Sequence, residues 1–313
     1  MQETRSLRDY LALSGKGMMM GAADAVPGVS GGTIAFMTGI YEELIYSLKQ
    51  FGPAALVMLF RQGPVAVWKH VNGTFLFTLL AGILISLLTI SRVVLYWLAE
   101  YPELLWSFFF GLILASVWSV CRHIEHWDRN TYTSFFVGTI VAYLVTSITP
   151  TSIEATPLFV FLSGMVAICA MILPGISGSF ILLLLGMYTP ILMAIKNVEL
   201  VTLGLFAGGC AIGLLSFSRV LSWMFSSFKT ATLSLLGGFM LGSLNKVWPW
   251  KYTTAYSIDR HGKEVPLVQE NISPLSFESL TGQPAFLLYA VGLMLLGAAM
   301  VILIERMGRR SGV

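Results

Sequence analysis

Apolar positions fill long stretches of this chain, and the polar ones gather at their ends. Apolar runs cover residues 71–98, 104–120, 134–148, 159–173, 201–225, 231–244 and 285–304. Several reach the roughly 20 residues that a helix needs to cross hydrocarbon. About six full transmembrane helices are therefore expected, over 71–98, 104–121, 133–149, 200–225, 231–248 and 285–304. Two further stretches, 11–48 and 158–195, are broken by Pro and Gly in mid-course. As one helix, the first would run about 57 Å, far beyond a bilayer. Its arms, 11–25 and 33–48, are each short for a crossing, as are 159–173 and 179–195. Both stretches read as re-entrant helical hairpins. Residues 53–70 are patchily apolar, either an interfacial segment or an ordinary loop. Residues 249–283 are a polar insert that reads as a small external lobe.

The interruptions occur twice in the same form. Val26-Pro27-Gly28-Val29-Ser30-Gly31-Gly32 runs on to Gly39-Ile40-Tyr41. Leu173-Pro174-Gly175-Ile176-Ser177-Gly178-Ser179 runs on to Gly186-Met187-Tyr188, 147 residues later. At an offset of 127, Gly82 matches Gly209, Ser91-Arg92-Val93 matches Ser218-Arg219-Val220, and Gly111 matches Gly238. Val137-Gly138 pairs more loosely with Val291-Gly292. Two repeats are expected, 1–152 and 153–313, each with one hairpin and three spans. Three crossings are odd, so the second repeat is inverted relative to the first, a transporter architecture.

Charge sets the orientation. With both termini cytoplasmic, twelve Lys/Arg fall inside and five outside, which obeys the positive-inside rule. The start of the chain, with Arg5, Arg8 and Lys16, reads as a retained cytoplasmic segment rather than a cleaved signal. The apolar fraction of 56%, mean hydropathy of +0.78 and charged fraction of 11% are those of a membrane protein. The net charge of +3 fits basic cytoplasmic loops and gives no sign of a nucleic-acid partner. Cys121, Cys169 and Cys210 have no metal or redox spacing. No nucleophile–base pair or cofactor motif suggests an enzyme.

The candidate chemistry centres on the two tips. Glycine permits tight turns and close ligand approach, and proline interrupts the helical ladder. The N–H groups that open the following helix would form an anion nest, with Gly28, Ser30, Gly31, Gly32 and Thr33 at one tip and Gly175, Ser177, Gly178 and Ser179 at the other. The plain alternative is helix packing through small residues. Arg92 and Arg219 would serve the same anion, toward the outer and inner faces, since an intramembrane cation must be paired or reach water. Alternatively they snorkel to headgroups, or pair with Glu100 or Glu103. Asp24, whose counterpart is Met171, is a candidate for coupling to H+ or Na+, or else a local cap. Glu42 and Glu43 either join that coupling or neutralise Lys49 or Arg61. Tyr41 and Tyr188 are hydroxyl donors or interface anchors.

At its doubled Pro-Gly-x-Ser-Gly signature the chain resembles the bacterial polyprenyl-phosphate transporters, long carried as a membrane domain of unknown function. The resemblance covers nearly the whole chain. It implies a translocase of the cytoplasmic (inner) membrane that returns undecaprenyl phosphate from the outer to the inner leaflet after cell-wall and surface-glycan assembly. Ser179 stands where the first tip has Gly32, a small departure. The implied partners are undecaprenyl phosphate and membrane lipid, as a monomer or homodimer. The residues alone leave room for an ion-coupled organic-anion transporter, an anion channel, or a non-transporting scaffold.

Overall fold

In the computed structural model of the chain, which describes residues 5–26, 29–124, 126–148, 155–258 and 264–310, the apolar stretches become helices, several of which open at Ser, Asp or Pro. The first hairpin comprises α1 (Leu7–Asp24), α2 (Gly31–Met37) and α3 (Tyr41–Lys49). A capping box opens α1: Ser6 Oγ accepts from the Asp9 N–H at 3.3 Å, and Asp9 Oδ2 accepts from the Ser6 N–H at 2.8 Å. Two short helices follow, α4 (Pro53–Gln62) and α5 (Pro64–His70), so this segment is helical rather than an ordinary loop. Then come α6 (Gly73–Leu88), α7 (Ile90–Glu100), α8 (Pro102–Arg122) and α9 (Arg129–Ser147).

The second hairpin comprises α10 (Pro157–Ile172), α11 (Gly178–Leu184) and α12 (Tyr188–Asn197), followed by α13 (Leu200–Ser227) and α14 (Lys229–Ser243). The polar insert holds an antiparallel ribbon, β1 (Lys251–Ile258) with β2 (Glu264–Asn271), in which Lys251 faces Asn271. After α15 (Pro274–Thr281) comes α16 (Leu287–Arg310). The expected all-α character holds apart from this ribbon. Residues 259–263, between the two strands in sequence, and 149–154 of the loop expected outside, lie outside the described residues.

Several helices are shorter than the apolar pattern implies. The expected span 71–98 divides at Thr89, whose hydroxyl donates back to the Ile85 carbonyl at 2.6 Å, while the Ser91 hydroxyl does the same to Leu87. Such back-bonding competes with the helical ladder and bends helices. The second arm of each hairpin is two helices, not one. Gly39 (φ +74°) and Gly186 (φ +68°) sit in the left-handed region and end α2 and α11. Each is followed by the same closing bond, Ile40 N–H to Ala35 O at 3.1 Å and Met187 N–H to Leu182 O at 2.8 Å. The bend between α11 and α12 is 107°. Among the described residues, three helices by themselves are long and apolar enough to cross a membrane: α8, α13 and residues Leu287–Arg306 of α16. The pairs α5–α6 and α11–α12 reach that composition only together.

Helices associate in four close pairs, α1 with α6, α10 with α13, α8 with α16, and α9 with α14. Glycine makes each approach possible. A Cβ on Gly82 would lie 2.2 Å from Ser14 O, and one on Gly209 2.0 Å from Phe161 O. These are matched positions in matched pairs, since Ser14 and Phe161 are also 147 residues apart. A Cβ on Gly111 would meet Met294 O at 1.9 Å, and one on Gly238 would meet Phe135 O at 2.1 Å. The loose match of Gly138 with Gly292 is corrected here. Gly138 packs on Leu235 and Gly297 on Phe108, whereas Gly292 faces open space. Phe108 and Leu235 are themselves 127 residues apart, so Gly297 is the counterpart of Gly138. The main core gathers Val26, Val29, Ile34 and Tyr41 of the first hairpin with Phe75, Ile113, Leu221, Leu236 and Val301. Large apolar side chains such as Phe77, Leu88, Leu200, Leu288 and Leu295 remain exposed on the outside, as a bilayer solvent requires.

The close pairs yield a test. Gly111→Leu should force α8 from α16 at a cost of about 1–3 kcal/mol or more, lowering the unfolding temperature of detergent-purified protein by several degrees. Gly292→Leu, on the same pair but in open space, should leave it unchanged. Equal behaviour of the two variants would remove the close glycine contact from the account.

Candidate functional site

Breaking a helix inside apolar surroundings leaves N–H and C=O groups that need partners. Here each tip supplies partners for the other. The Ser30 hydroxyl is buried between the Met171 and Leu173 carbonyls, at 3.1 and 3.3 Å. In return the Gly175 N–H donates to Thr33 Oγ1 at 2.9 Å. Gly32 passes so near α10 that a Cβ would lie 2.6 Å from Ile172 O. Gly175, at φ +92°, turns the second tip against α14, where a Cβ would meet Ser243 Oγ at 2.8 Å. Of the residues singled out at the tips, Ser30, Gly32 and Thr33 meet the second hairpin at residues 171–175, whereas Ser177, Gly178 and Ser179 make their contacts within the second hairpin; Gly28, with Pro27, lies outside the described residues.

The tips differ in charge and in free donors. At the first, the Gly31 N–H donates to Asp24 Oδ1 at 2.6 Å, the Gly32 N–H to Ser30 Oγ at 3.0 Å, and the Thr33 N–H to Ser30 O at 2.9 Å. The protein's own carboxylate and hydroxyl thus occupy that nest, and Asp24 is a local cap in this arrangement. At the second tip the Ser177 and Ser179 hydroxyls bond each other at 2.8 Å. The N–H groups of Gly178, Ser179 and Phe180 have no acceptor among the described residues. Met171 stands where Asp24 does in the first hairpin, and it has no carboxylate to offer.

The remaining candidates lie apart from the tips. Arg219 donates to Leu215 O at 2.6 Å and to Phe51 O, beyond the end of α3, at 3.1 Å. Arg92 is exposed on α7, with no ion pair among the described residues. Glu42 pairs with Lys229 at 2.8 Å, and Glu43 with Arg5 and with Asn72 Nδ2, the latter at 2.8 Å. Neither pairs with Lys49 or Arg61. Tyr41 is buried edge-on to Phe36 and Phe225, and its hydroxyl has no partner among the described residues. Tyr188 is partly exposed.

Two features were not among the expected site residues. Lys16 ties the arms of the first hairpin by donating to Thr38 O at 2.9 Å. Lys49 donates to Ser222 Oγ at 3.1 Å, so that α3 and α13 are joined by Lys49–Ser222, Arg219–Phe51 and, just beyond α13, Glu42–Lys229. No comparable junction joins α12 to α7 among the described residues. Their sequence signal was only a lone lysine, within α1 for Lys16 and at the end of α3 for Lys49.

Comparison with known proteins points the same way. Residues 20–265 match the family profile described as undecaprenyl phosphate translocase-like. The chain is 49% identical over 298 residues to a polyprenyl-phosphate transporter of Vibrio cholerae, covering 95% of this chain and 97% of that one. It is 31% identical over 260 residues to a polyprenyl-phosphate transporter of Staphylococcus aureus, covering 75% and 84%. No solved structure matches the chain significantly.

The interlocked tips predict an asymmetric response to substitution. Thr33→Val strands the buried Gly175 N–H and should destabilise the protein by about 1–3 kcal/mol, whereas Thr33→Ser, which keeps the acceptor, should cost much less. Thermal unfolding in detergent measures both. Wild-type stability in Thr33→Val would mean that the tips do not depend on that bond.

Proposed function

We propose that this chain, which belongs to the undecaprenyl phosphate translocase-like family, carries undecaprenyl phosphate from the outer to the inner leaflet of the bacterial cytoplasmic membrane. It is a transporter, not an enzyme, and a multi-pass membrane protein. The observation that carries the reading is the meeting of two helix-breaking tips, Ser30 to Met171 and Leu173 and Gly175 to Thr33, inside an apolar helical body. A phosphate moving through hydrocarbon needs fixed donors where no water can serve it. The free N–H groups of Gly178 and Ser179, with the hydroxyls of Ser177 and Ser179, are the donors open to it. Those of Gly31, Gly32 and Thr33 become open only when Asp24 and Ser30 let go.

The two halves, 1–152 and 153–313, act as inverted repeats. Exchange of α1–α6 with α10–α13, and of α8–α16 with α14–α9, through matched glycines supports that relation. The junction of α3 with α13 then closes the cytoplasmic side, while α12 and α7 make no such junction on the opposite side among the described residues. Arg219 holds the closed side, and Arg92 stands free on the other to meet an incoming anion. Beyond its first isoprene units, the polyprenyl tail stays in lipid. Asp24 couples transfer to H+ or Na+ by leaving or re-forming its bond to Gly31.

Purified protein in liposomes, assayed for transfer of undecaprenyl phosphate between leaflets, tests this. Arg92→Ala with Arg219→Ala should slow transfer about tenfold or more, the equivalent of one charge-assisted contact; an unchanged rate sinks the arginine role. Asp24→Asn retains an acceptor for Gly31 but no titrating carboxyl. Downhill transfer should persist while its dependence on an ion gradient disappears. Gradient dependence equal to wild type would leave Asp24 as a cap alone.

A further inference from the structure

At the end of the molecule that bears the insert, two cavities lie side by side. One, of about 320 Å³, is polar and is lined by Lys246, Lys251, Asn245, Ser147 and Gln269, with Phe180 of α11 at its wall. The other, of about 410 Å³, is apolar and is lined by Phe110, Ile140, Leu144, Leu241 and Trp248. Tyr143, Asn245 and Asn271 belong to both, so the cavities share one boundary. Ile140, Tyr143 and Leu144 are exposed on the outer surface of α9, which opens the apolar cavity sideways to lipid.

The two lysines lack the partner that their position demands. Lys246 Nζ rests over the Phe180 ring at 4.6 Å, and Lys251 Nζ rests over the Trp106 ring at 4.2 Å and donates to Lys246 O at 2.6 Å. Neither has a carboxylate within ion-pair distance among the described residues, although Glu270 lies on the same cavity wall. Burial, with the like charge of Lys246, draws the Lys251 ammonium well below the usual lysine range. Two lysines on the wall of one polar cavity, neither with a carboxylate partner among the described residues, are an arrangement that a bound anion relieves. An adjoining lipid-side apolar cavity is what an anion with a single hydrocarbon chain would fill.

We propose that the paired cavities are a docking site for the substrate lipid, with its phosphate between Lys246 and Lys251 and its first isoprene units against Ile140, Leu144, Leu241 and Trp248. The assignment rests on the transport reading above for the identity of the lipid. The cavities themselves call for an anion on an apolar chain, and the phosphate monoester comes with that reading. Phe180 and Leu183 form the shared wall with α11, so the docked phosphate lies next to the second tip, whose turn packs on Ser243. The site would load the tip that carries free donors.

Binding to the full chain in detergent is the test, with radiolabelled undecaprenyl phosphate, undecaprenol and inorganic phosphate as probes. Lys246→Gln with Lys251→Gln should weaken undecaprenyl phosphate binding about tenfold to a hundredfold and leave undecaprenol binding unchanged. Lys246→Arg should retain most of the affinity. Unaltered affinity in the double Gln variant overturns the proposal. Displacement of the lipid by equimolar inorganic phosphate also overturns it, because the site would then serve a free anion. Should the double variant fail to fold, a photoactivatable undecaprenyl phosphate analogue on the wild-type chain decides. Labelling within 140–147 and 244–251 supports the site, and labelling confined elsewhere refutes it. Leaflet transfer by the wild-type chain is measured separately. Its failure would remove the transport reading while leaving the binding result intact, and a binding failure with transfer intact would remove only this site.

Discussion

Everything in this molecule turns on how two interrupted helices satisfy their backbones in an apolar medium. An unpaired N–H or C=O in such surroundings costs several kcal/mol, so a Pro-Gly break is tolerable only if something replaces the lost ladder. Each hairpin finds that replacement in the other. The C-terminal carbonyls of α10 accept from Ser30, and the Gly175 N–H, released by the turn of the second tip, is accepted by Thr33. The tips are consequently a single unit. Neither hairpin can shift far without uncovering polar groups on both, and a phosphate that offers acceptors to the same donors is a natural substitute partner.

The unit is built from repeated sequence but is not symmetric. One substitution, Met171 in the place of Asp24, separates a tip that carries its own anion from one that lacks it. The helices around the tips differ in the same way. Thr89 breaks one member of a matched pair, whereas its counterpart Ser216 back-bonds to Ile212 at 2.7 Å within an unbroken α13. The α3–α13 junction likewise has no counterpart at α12 and α7. A transporter of two related halves must differ between them at any moment, because access to one side requires closure of the other.

Much of this was legible in the residues. The constant offset of 147 located both tips, and the mismatch between segment length and bilayer thickness turned them into hairpins. What was not legible has physical causes. A glycine inside an apolar run does not say which helix it touches. The partner of Gly138 was therefore read as Gly292 from a neighbouring Val, when the contact geometry selects Gly297. Gly39 and Gly186 were visible as repeats, but their left-handed conformation depends on a closing bond five residues back. The break at Thr89 comes from hydroxyls that elsewhere leave helices intact. Lys251 was visible only as part of the polar insert and Lys246 only as part of a span, since nothing local places them over Phe180 and Trp106.

The glycine contacts and the cation sites answer two halves of one physical problem. Between apolar helices in lipid there is no hydrophobic drive to associate, so close approach through Gly17, Gly82, Gly164 and Gly209 supplies packing and leaves the larger apolar side chains for the bilayer. That division leaves large apolar side chains on the outer surface, along which a polyprenyl chain can slide without desolvation. The headgroup has the opposite need. It must pass from water to a dry interior, and each step is tolerable only where protein donors replace hydration. Tail and head therefore follow different parts of the same surface, and a lateral opening beside a polar pocket, rather than a closed pore, is the form that serves both.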